Sequence, residues 1–398
     1  MKAERIYKDI AGRTGGDIYI GVVGPVRSGK STFINRFMET AVIPNIVGEY
    51  GKKKARDELP QSAEGKTVMT AEPKFIPDEA VDVSFGDGGT IKMRMIDCVG
   101  YLIPDALGMT EDGEERMVKT PWSDEAIPFA KAAEEGTRKV MEEHSTVGML
   151  VTCDGTIGDI PRESYVEAEM RIAKELSEIG KPYVLVLNSK YPNSEAAEDL
   201  AISLEKQYSC PVALVNCLEL DSEDIEGILE MLLYEFPVKE IKLKLPQWVA
   251  AIPENHSLNS SMIRSIKETC GEVHSLSDIR GFCEHLEKAF SERIGDVSEH
   301  AECKVKIDSM DLSCGEVTLS ADLSESLYYS IICDLTGLCV GSQSELISVL
   351  LELSEAKTEL FKYREAIDQL EGGGYGIVMP KMEELKLSEP EIIKSSGA

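Results

Sequence analysis

No stretch of this sequence approaches the roughly 18 consecutive apolar residues that a bilayer-spanning helix needs. The opening Met1-Lys2-Ala3-Glu4-Arg5 also lacks the apolar run of a secretion signal. The expectation is a soluble, cytoplasmic chain. Positive charge is scarce too: 42 Lys and Arg face 71 Asp and Glu, a formal net charge of -29, and the basic cluster Lys52-Lys53-Lys54 is small. A nucleic-acid backbone or an anionic membrane would be repelled, which argues against nucleic-acid binding and against a direct electrostatic hold on lipid. Ten cysteines are present, none in CxxC spacing. Cys270, His274, Cys283 and His285 follow no zinc-finger pattern, so reduced, buried or idle thiols are the expectation. At 398 residues the chain exceeds one ordinary domain and implies two or three.

What the sequence does have is Gly24-Pro25-Val26-Arg27-Ser28-Gly29-Lys30-Ser31, a complete GxxxxGK[ST] phosphate loop. The run Asp17–Val23 before it is β-rich and apolar, and Ser31–Met38 after it carries apolar residues at helical spacing. Strand, glycine loop and helix form the required context. Glycines let backbone N–H groups turn toward phosphates, Lys30 supplies charge, and Ser31 offers a hydroxyl to Mg²⁺ at the positive end of the helix. The candidate nucleotide shell is Gly24 through Ser31 with Thr32, Gly100 and Asn188.

Two alternating runs, 81–85 and 90–96, flank Gly86-Asp87-Gly88-Gly89 and predict a hairpin. The second ends in Asp97-Cys98-Val99-Gly100, a DxxG whose aspartate reaches Mg²⁺ and whose glycine N–H can sense a γ-phosphate. Asp154, which also ends an apolar run, is a rival that lacks the glycine. An antiparallel strand between the phosphate loop and DxxG marks the GTPase-like class, so the predicted fold is α/β: a P-loop NTPase domain with an antiparallel edge hairpin, followed by a smaller α+β domain. The irregular segment 44–77 is where a switch threonine belongs; Thr70 is the candidate, with Thr67 in reserve. The catalytic set is then Lys30, Thr70 and Asp97, and the metal set Ser31, Thr70 and Asp97.

Two departures from an ordinary GTPase are informative. After the strand 183–187, Asn188-Ser189-Lys190-Tyr191 stands where a guanine reader carries NKxD. Without that aspartate the main reason to prefer guanine is gone, and ATP is the expected nucleotide. The residue after DxxG is Tyr101, not a water-orienting glutamine, so another group must position water and hydrolysis is expected to be slow. The segment 101–128, with Trp122, reads as an insertion coupled to nucleotide state.

Further on, 159–179 predicts an amphipathic helix ending at Gly180, and the βα rhythm runs to about residue 237. Residues 1–237 are therefore assigned to the NTPase domain and 238–371 to an α+β middle domain. The latter ends in a helix from about Ser344 to Leu370, apolar on one face and charged on the other, for which core packing is favoured over an assembly interface. Gly372-Gly373-Gly374 predicts a hinge opening a last segment, 372–398.

The strings Asp57-Glu58-Leu59-Pro60-Gln61-Ser62, Gly65-Lys66-Thr67-Val68-Met69-Thr70 and Glu72-Pro73-Lys74-Phe75 are narrower than any phosphate loop. With Thr120-Pro121-Trp122, Asp154–Ile160, Leu233–Val238 and, more loosely, Leu387–Ile393, the chain resembles the stage IV sporulation protein A family. The resemblance implies an ATPase of endospore-forming bacteria, in the mother-cell cytoplasm at the outer forespore surface, whose homopolymer is the basement layer of the spore coat. It implies partners as well: a small amphipathic membrane-adsorbed sporulation protein, which makes membrane contact indirect, and other spore coat proteins. Lys30, Asp97 and Thr70 match its phosphate-loop lysine, Walker B aspartate and one of two sensor threonines, while Ala71 replaces the second. The family's chains continue with another globular region, so this one is expected to stop short of it. Slow hydrolysis would then be coupled to assembly. The layout alone also allows a regulatory nucleotide switch that binds effectors without polymerising; a small-molecule kinase is disfavoured, since no acceptor site with a base is visible.

Overall fold

A computed structural model describes residues 2–60, 73–85, 89–103, 110–111, 114–120, 123–271, 273–295 and 302–373. Its contacts divide the chain into two units, one of 1–247, 262–289 and 304–322, the other of 248–261, 290–303 and 323–398. In the first unit, helices and strands alternate: α1 (Lys2–Thr14), β1 (Asp17–Val23), α2 (Lys30–Phe37), α3 (Glu49–Asp57), β2 (Lys74–Phe85) and β3 (Gly89–Asp97). After these come α4 (Phe129–Lys139), β4 (Val147–Cys153), α5 (Glu163–Ile179), β5 (Tyr183–Asn188), α6 (Glu195–Tyr208), β6 (Val212–Val215) and α7 (Ser222–Tyr234).

The six strands form one sheet in the order β6-β5-β4-β1-β3-β2. All pairings are parallel except β2 with β3, which is antiparallel and lies at the edge. This is the expected α/β architecture with its edge hairpin. The two strands are longer than the alternating runs alone predict, and the register of β2 shifts between Ile76 and Val81. Pro77 sits in that shift, where an edge strand can accommodate a residue with no N–H. Every residue of β4 and β5 is buried, as expected for inner strands of a parallel sheet covered on both faces.

Helix α5 begins at Glu163, four residues inside the predicted start, and buries Tyr165, Ala168, Glu169, Ile172, Ala173 and Leu176 at helical spacing. Gly180 ends it with φ of 69°, a left-handed turn that favours glycine. In α7, Asp221 and Asp224 form a reciprocal capping box. The insertion is not featureless: Thr110–Glu111 pairs with Glu114–Glu115, and Met117–Thr120 with Ser123–Pro128. Trp122 lies outside the described residues, as do Thr67, Thr70 and Ala71. The same unit holds a second sheet, in which β7 (Glu240–Lys244) runs parallel to β9 (Glu316–Leu323), and β9 neighbours β8 (Cys303–Asp311).

The second unit includes α10 (Glu325–Thr336) and α11 (Gln343–Gly373). Two further helices, α8 (Ser257–Cys270) and α9 (Ile279–Gly295), each contribute residues to both units. Trp248 stacks edge-on against Tyr328. Three expectations change here. Helix α11 continues through Gly372 and Gly373, so these two glycines extend the helix where a hinge was expected. Leu350, Leu351, Leu360, Phe361 and Ile367 of α11 are all more than half exposed, although Ala366 is buried, so most of the helix's apolar residues are not packed into a core. Cys333 and Cys339 form a disulfide, because Gly337, at φ of 73°, turns the chain back at the end of α10. Of the other eight cysteines, six are buried. No helix among the described residues is long and apolar enough to cross a membrane.

Candidate functional site

The phosphate loop leaves the C-terminal end of β1 at the centre of the sheet, flanked by β3 and β4. Its shape depends on close backbone approach. A Cβ on Gly24, at φ of 150°, would stand 2.1 Å from the Val151 carbonyl oxygen, and one on Gly29, at φ of 101°, would stand 2.2 Å from Asn188 Nδ2. Arg27 is left-handed as well, with φ of 66°, a rare state for a side chain with a Cβ. These turns deliver the chain to Lys30, the first residue of α2.

Lys30 is 7% exposed, and its Nζ donates to the carbonyls of Pro25, at 2.7 Å, and Gly24, at 3.2 Å. Burial lowers its pKa to about 8, against the opposing pull of Asp97. Ser31 Oγ donates to Asp97 Oδ2 at 2.8 Å. Asp97 ends β3, in register with Val22 of β1, which is why the DxxG aspartate meets the serine of the loop. Burial raises the Asp97 pKa, while Lys30 and the Ser31 hydroxyl pull it down. Gly100 lies directly against the loop: a Cβ there would be 2.4 Å from Lys30 Nζ and 2.6 Å from the Val26 nitrogen. Thr137 of α4, buried, holds the segment by donating to the Val99 carbonyl at 2.9 Å.

Lys30, Ser31, Asp97 and Gly100 are thus brought together. The hydroxyl of Ser28 is fully buried and has no hydrogen-bond partner among the described residues. An orphaned hydroxyl in the same loop as a buried ammonium, leading into a helix N-terminus, suits a chain of phosphates, and the oxygens of Ser31 and Asp97 are hard donors suited to Mg²⁺. Thr32 is half-buried on α2. Asp154, the rival to Asp97, does not reach Ser31; its Oδ1 accepts from the N–H and hydroxyl of Thr156, whose own oxygen accepts from the Lys190 N–H at 2.9 Å. It shapes the loops after β4 and β5.

Two residues beside the loop have partners that the sequence does not show. Asn188 Nδ2 donates to the Ser28 carbonyl at 3.1 Å and its Oδ1 accepts from the Cys217 N–H at 3.0 Å. Asn188 thus braces the phosphate loop against the turn after β6 and still has one amide hydrogen and one oxygen lone pair to offer. Tyr101 pairs with the same loop through its backbone, accepting from the Val26 N–H at 2.9 Å and donating to the Gly24 carbonyl at 3.1 Å. Its hydroxyl donates to Glu175 of α5 at 2.5 Å and Arg171 lies over its ring, so the phenol is fixed against α5. Burial, then the Glu175 bond, raises its pKa.

Sequence reasoning missed a buried network behind the site. The Glu169 carboxylate, fully buried, accepts two parallel bonds from Arg162 at 2.6 and 2.7 Å, one from the Thr152 hydroxyl at 2.5 Å and one from Tyr208 at 2.9 Å. Arg162 also donates to the Cys153 carbonyl at 3.2 Å, so the network ties α5 and α6 to the end of β4. A glutamate on the buried stripe of α5 was the available signal.

A family model described as the ATPase domain of stage IV sporulation protein A matches residues 1–237, and one described as its middle domain matches 238–398. The chain is 44% identical over 390 residues to stage IV sporulation protein A of Clostridioides difficile (strain 630), covering 98% of this chain and 77% of that one. It is 42% identical over 398 residues to the protein of that name from Bacillus subtilis (strain 168), covering 100% of this chain and 79% of that one. Among solved structures, the FeoB G-domain from Methanococcus jannaschii is similar at 15% identity and a TM-score of 0.28, over 54% of this chain and 97% of that one. That likeness is too distant to add to the strand order described above. The chain belongs to the stage IV sporulation protein A family.

Proposed function

From that membership we propose that the chain is a slow structural ATPase, hydrolysing ATP to ADP and phosphate, whose homopolymer forms the basement layer of the spore coat on the forespore. The observation that carries the chemistry is the convergence of Lys30, Ser31 and Asp97 at the phosphate loop, with Gly100 against Lys30. Lys30 would exchange its two carbonyl partners for phosphate oxygens, a charge-assisted contact stronger than a neutral one. Ser31 and Asp97 would hold Mg²⁺, which neutralises charge on the phosphates when bound. Thr70 is the proposed switch residue that completes the metal and catalytic sets.

ATP is preferred in this reading because Asn188-Ser189-Lys190-Tyr191 offers no aspartate to pair guanine. With the Tyr101 hydroxyl held by Glu175, water must be oriented from elsewhere, which supports slow turnover. A net charge of -29 favours recruitment to the forespore membrane through a small membrane-adsorbed adaptor protein over direct adhesion, with coat proteins as later partners. The test is sedimentation with and without Mg-ATP, using Lys30→Ala as control. Salt-resistant polymer formed by the wild type and not by the variant supports the proposal; nucleotide binding without polymer at any concentration would move a regulatory switch into first place.

A further inference from the structure

Leu346, Leu353, Leu360 and Ile367 recur every seven residues along α11, and Val349, Ala356, Tyr363 and Leu370 each follow one of them by three. The seam is unbroken. The same spacing begun at Leu350 meets Lys357, Arg364 and Glu371, and begun at Leu351 it meets Thr358 and Glu365. A repeat of 3.5 residues is the signature of a coiled coil, whereas a helix packed on a globular core follows 3.6. Leu346 and Val349 are half-buried, Leu346 in a pocket of about 410 Å³ with Trp248 and Tyr328. From Leu353 onward the seam is open: Leu353, Leu360, Tyr363, Ile367 and Leu370 are 45 to 64% exposed. That free length spans about 26 Å at the helical rise.

The flanking charges identify the occupant. Glu345, Glu352 and Glu359 each precede a seam leucine by one residue, and Lys357 and Arg364 each follow a seam leucine by four. In a parallel, in-register pair, Glu352 faces the second copy's Lys357, and Glu359 the second copy's Arg364. In an antiparallel pair, acidic positions would face acidic ones and basic face basic. We propose that α11 is a dimerisation helix whose seam is covered by α11 of a second copy of this chain, parallel and in register. Such a pairing is isologous and closed, so it builds a dimer and cannot by itself propagate a polymer; any polymer must use another surface. The inference stands independently of the nucleotide reading.

Sedimentation velocity of the whole chain in EDTA without nucleotide, over a concentration series, tests it. The wild type is expected to dimerise, and the chains carrying Glu352→Lys with Glu359→Lys, or Lys357→Glu with Arg364→Glu, to be monomers with unchanged circular dichroism. Mixing the two charge-reversed chains should restore the dimer, a rescue that a merely disrupted helix would not show. Leu360→Glu, on an exposed position, should abolish association in the wild-type background. A wild type that stays monomeric at every concentration, or a mixture that fails to reassociate, would overturn the proposal and leave the seam to another segment or another protein.

Discussion

The phosphate loop and α11 occupy one chain and are specified in opposite ways. In the loop, Gly24, Gly29 and Gly100 matter because nothing stands on their α-carbons: each imaginary Cβ lands within 2.4 Å of a neighbouring atom. In α11 the backbone is an ordinary helix and the information lies in side chains that stand in the open, repeating every seven residues. A site built from backbone approach tolerates almost no substitution at its contact points. A side-chain seam tolerates nearly any change away from itself and its flanking charges, and is read by its periodicity and by those charges. Nucleotide chemistry needs the first kind of precision, and association between copies needs only the second.

That contrast breaks most visibly at Gly100. Gly100→Ala puts a methyl group on Lys30 Nζ and on the Val26 nitrogen, and displacing the loop should lower phosphate release by about 10²-fold or more, with the fold retained by circular dichroism. Glu169→Ala, behind the site, should cost about 3–5 kcal/mol in urea unfolding, because it leaves the Arg162 charge buried without its carboxylate. A loss under about 1 kcal/mol would mean that the network does not brace α5 and α6 against β4.

A pH series sharpens the comparison further. The Lys30 pKa is depressed to about 8, so the ammonium is present below that pH and is lost as pH rises through it. Nucleotide affinity should weaken about tenfold between pH 7 and pH 9 in a fluorescence titration, given a single required proton. Stability from this group moves the other way, since above pH 8 the unfolded chain still binds a proton that the folded chain has released. The smallest effect is expected on α11 away from the seam: Glu355→Gln should change stability by no more than about 0.5 kcal/mol and leave sedimentation unchanged.

Much of this was legible in the sequence. The glycine spacing, the aspartate at the end of an alternating run and the turn glycines between two such runs name the loop, DxxG and the edge hairpin, because each is a local pattern with a local cause. What was not legible depends on contacts distant in sequence. That Asn188 braces the phosphate loop depends on the Ser28 carbonyl, 160 residues away. Tyr101 is plainly not a glutamine, yet its direction toward Glu175 depends on where α5 packs. Cys333 and Cys339 match no motif, and their pairing follows from the left-handed turn at Gly337. Helix α11 is visible in the sequence as a helix with one apolar and one charged face, but a seven-residue seam blurs into such a face unless its 3.5-residue period is counted.

The most direct measurement of the central claim is phosphate release from Mg-ATP and Mg-GTP side by side, with Lys30→Ala as the control. ATP turnover that disappears in the variant, with GTP used poorly, is the expected result. Preferential GTP hydrolysis would contradict it, because Asn188 to Tyr191 would then form a guanine site despite lacking the aspartate, and the nucleotide assignment would fall with it.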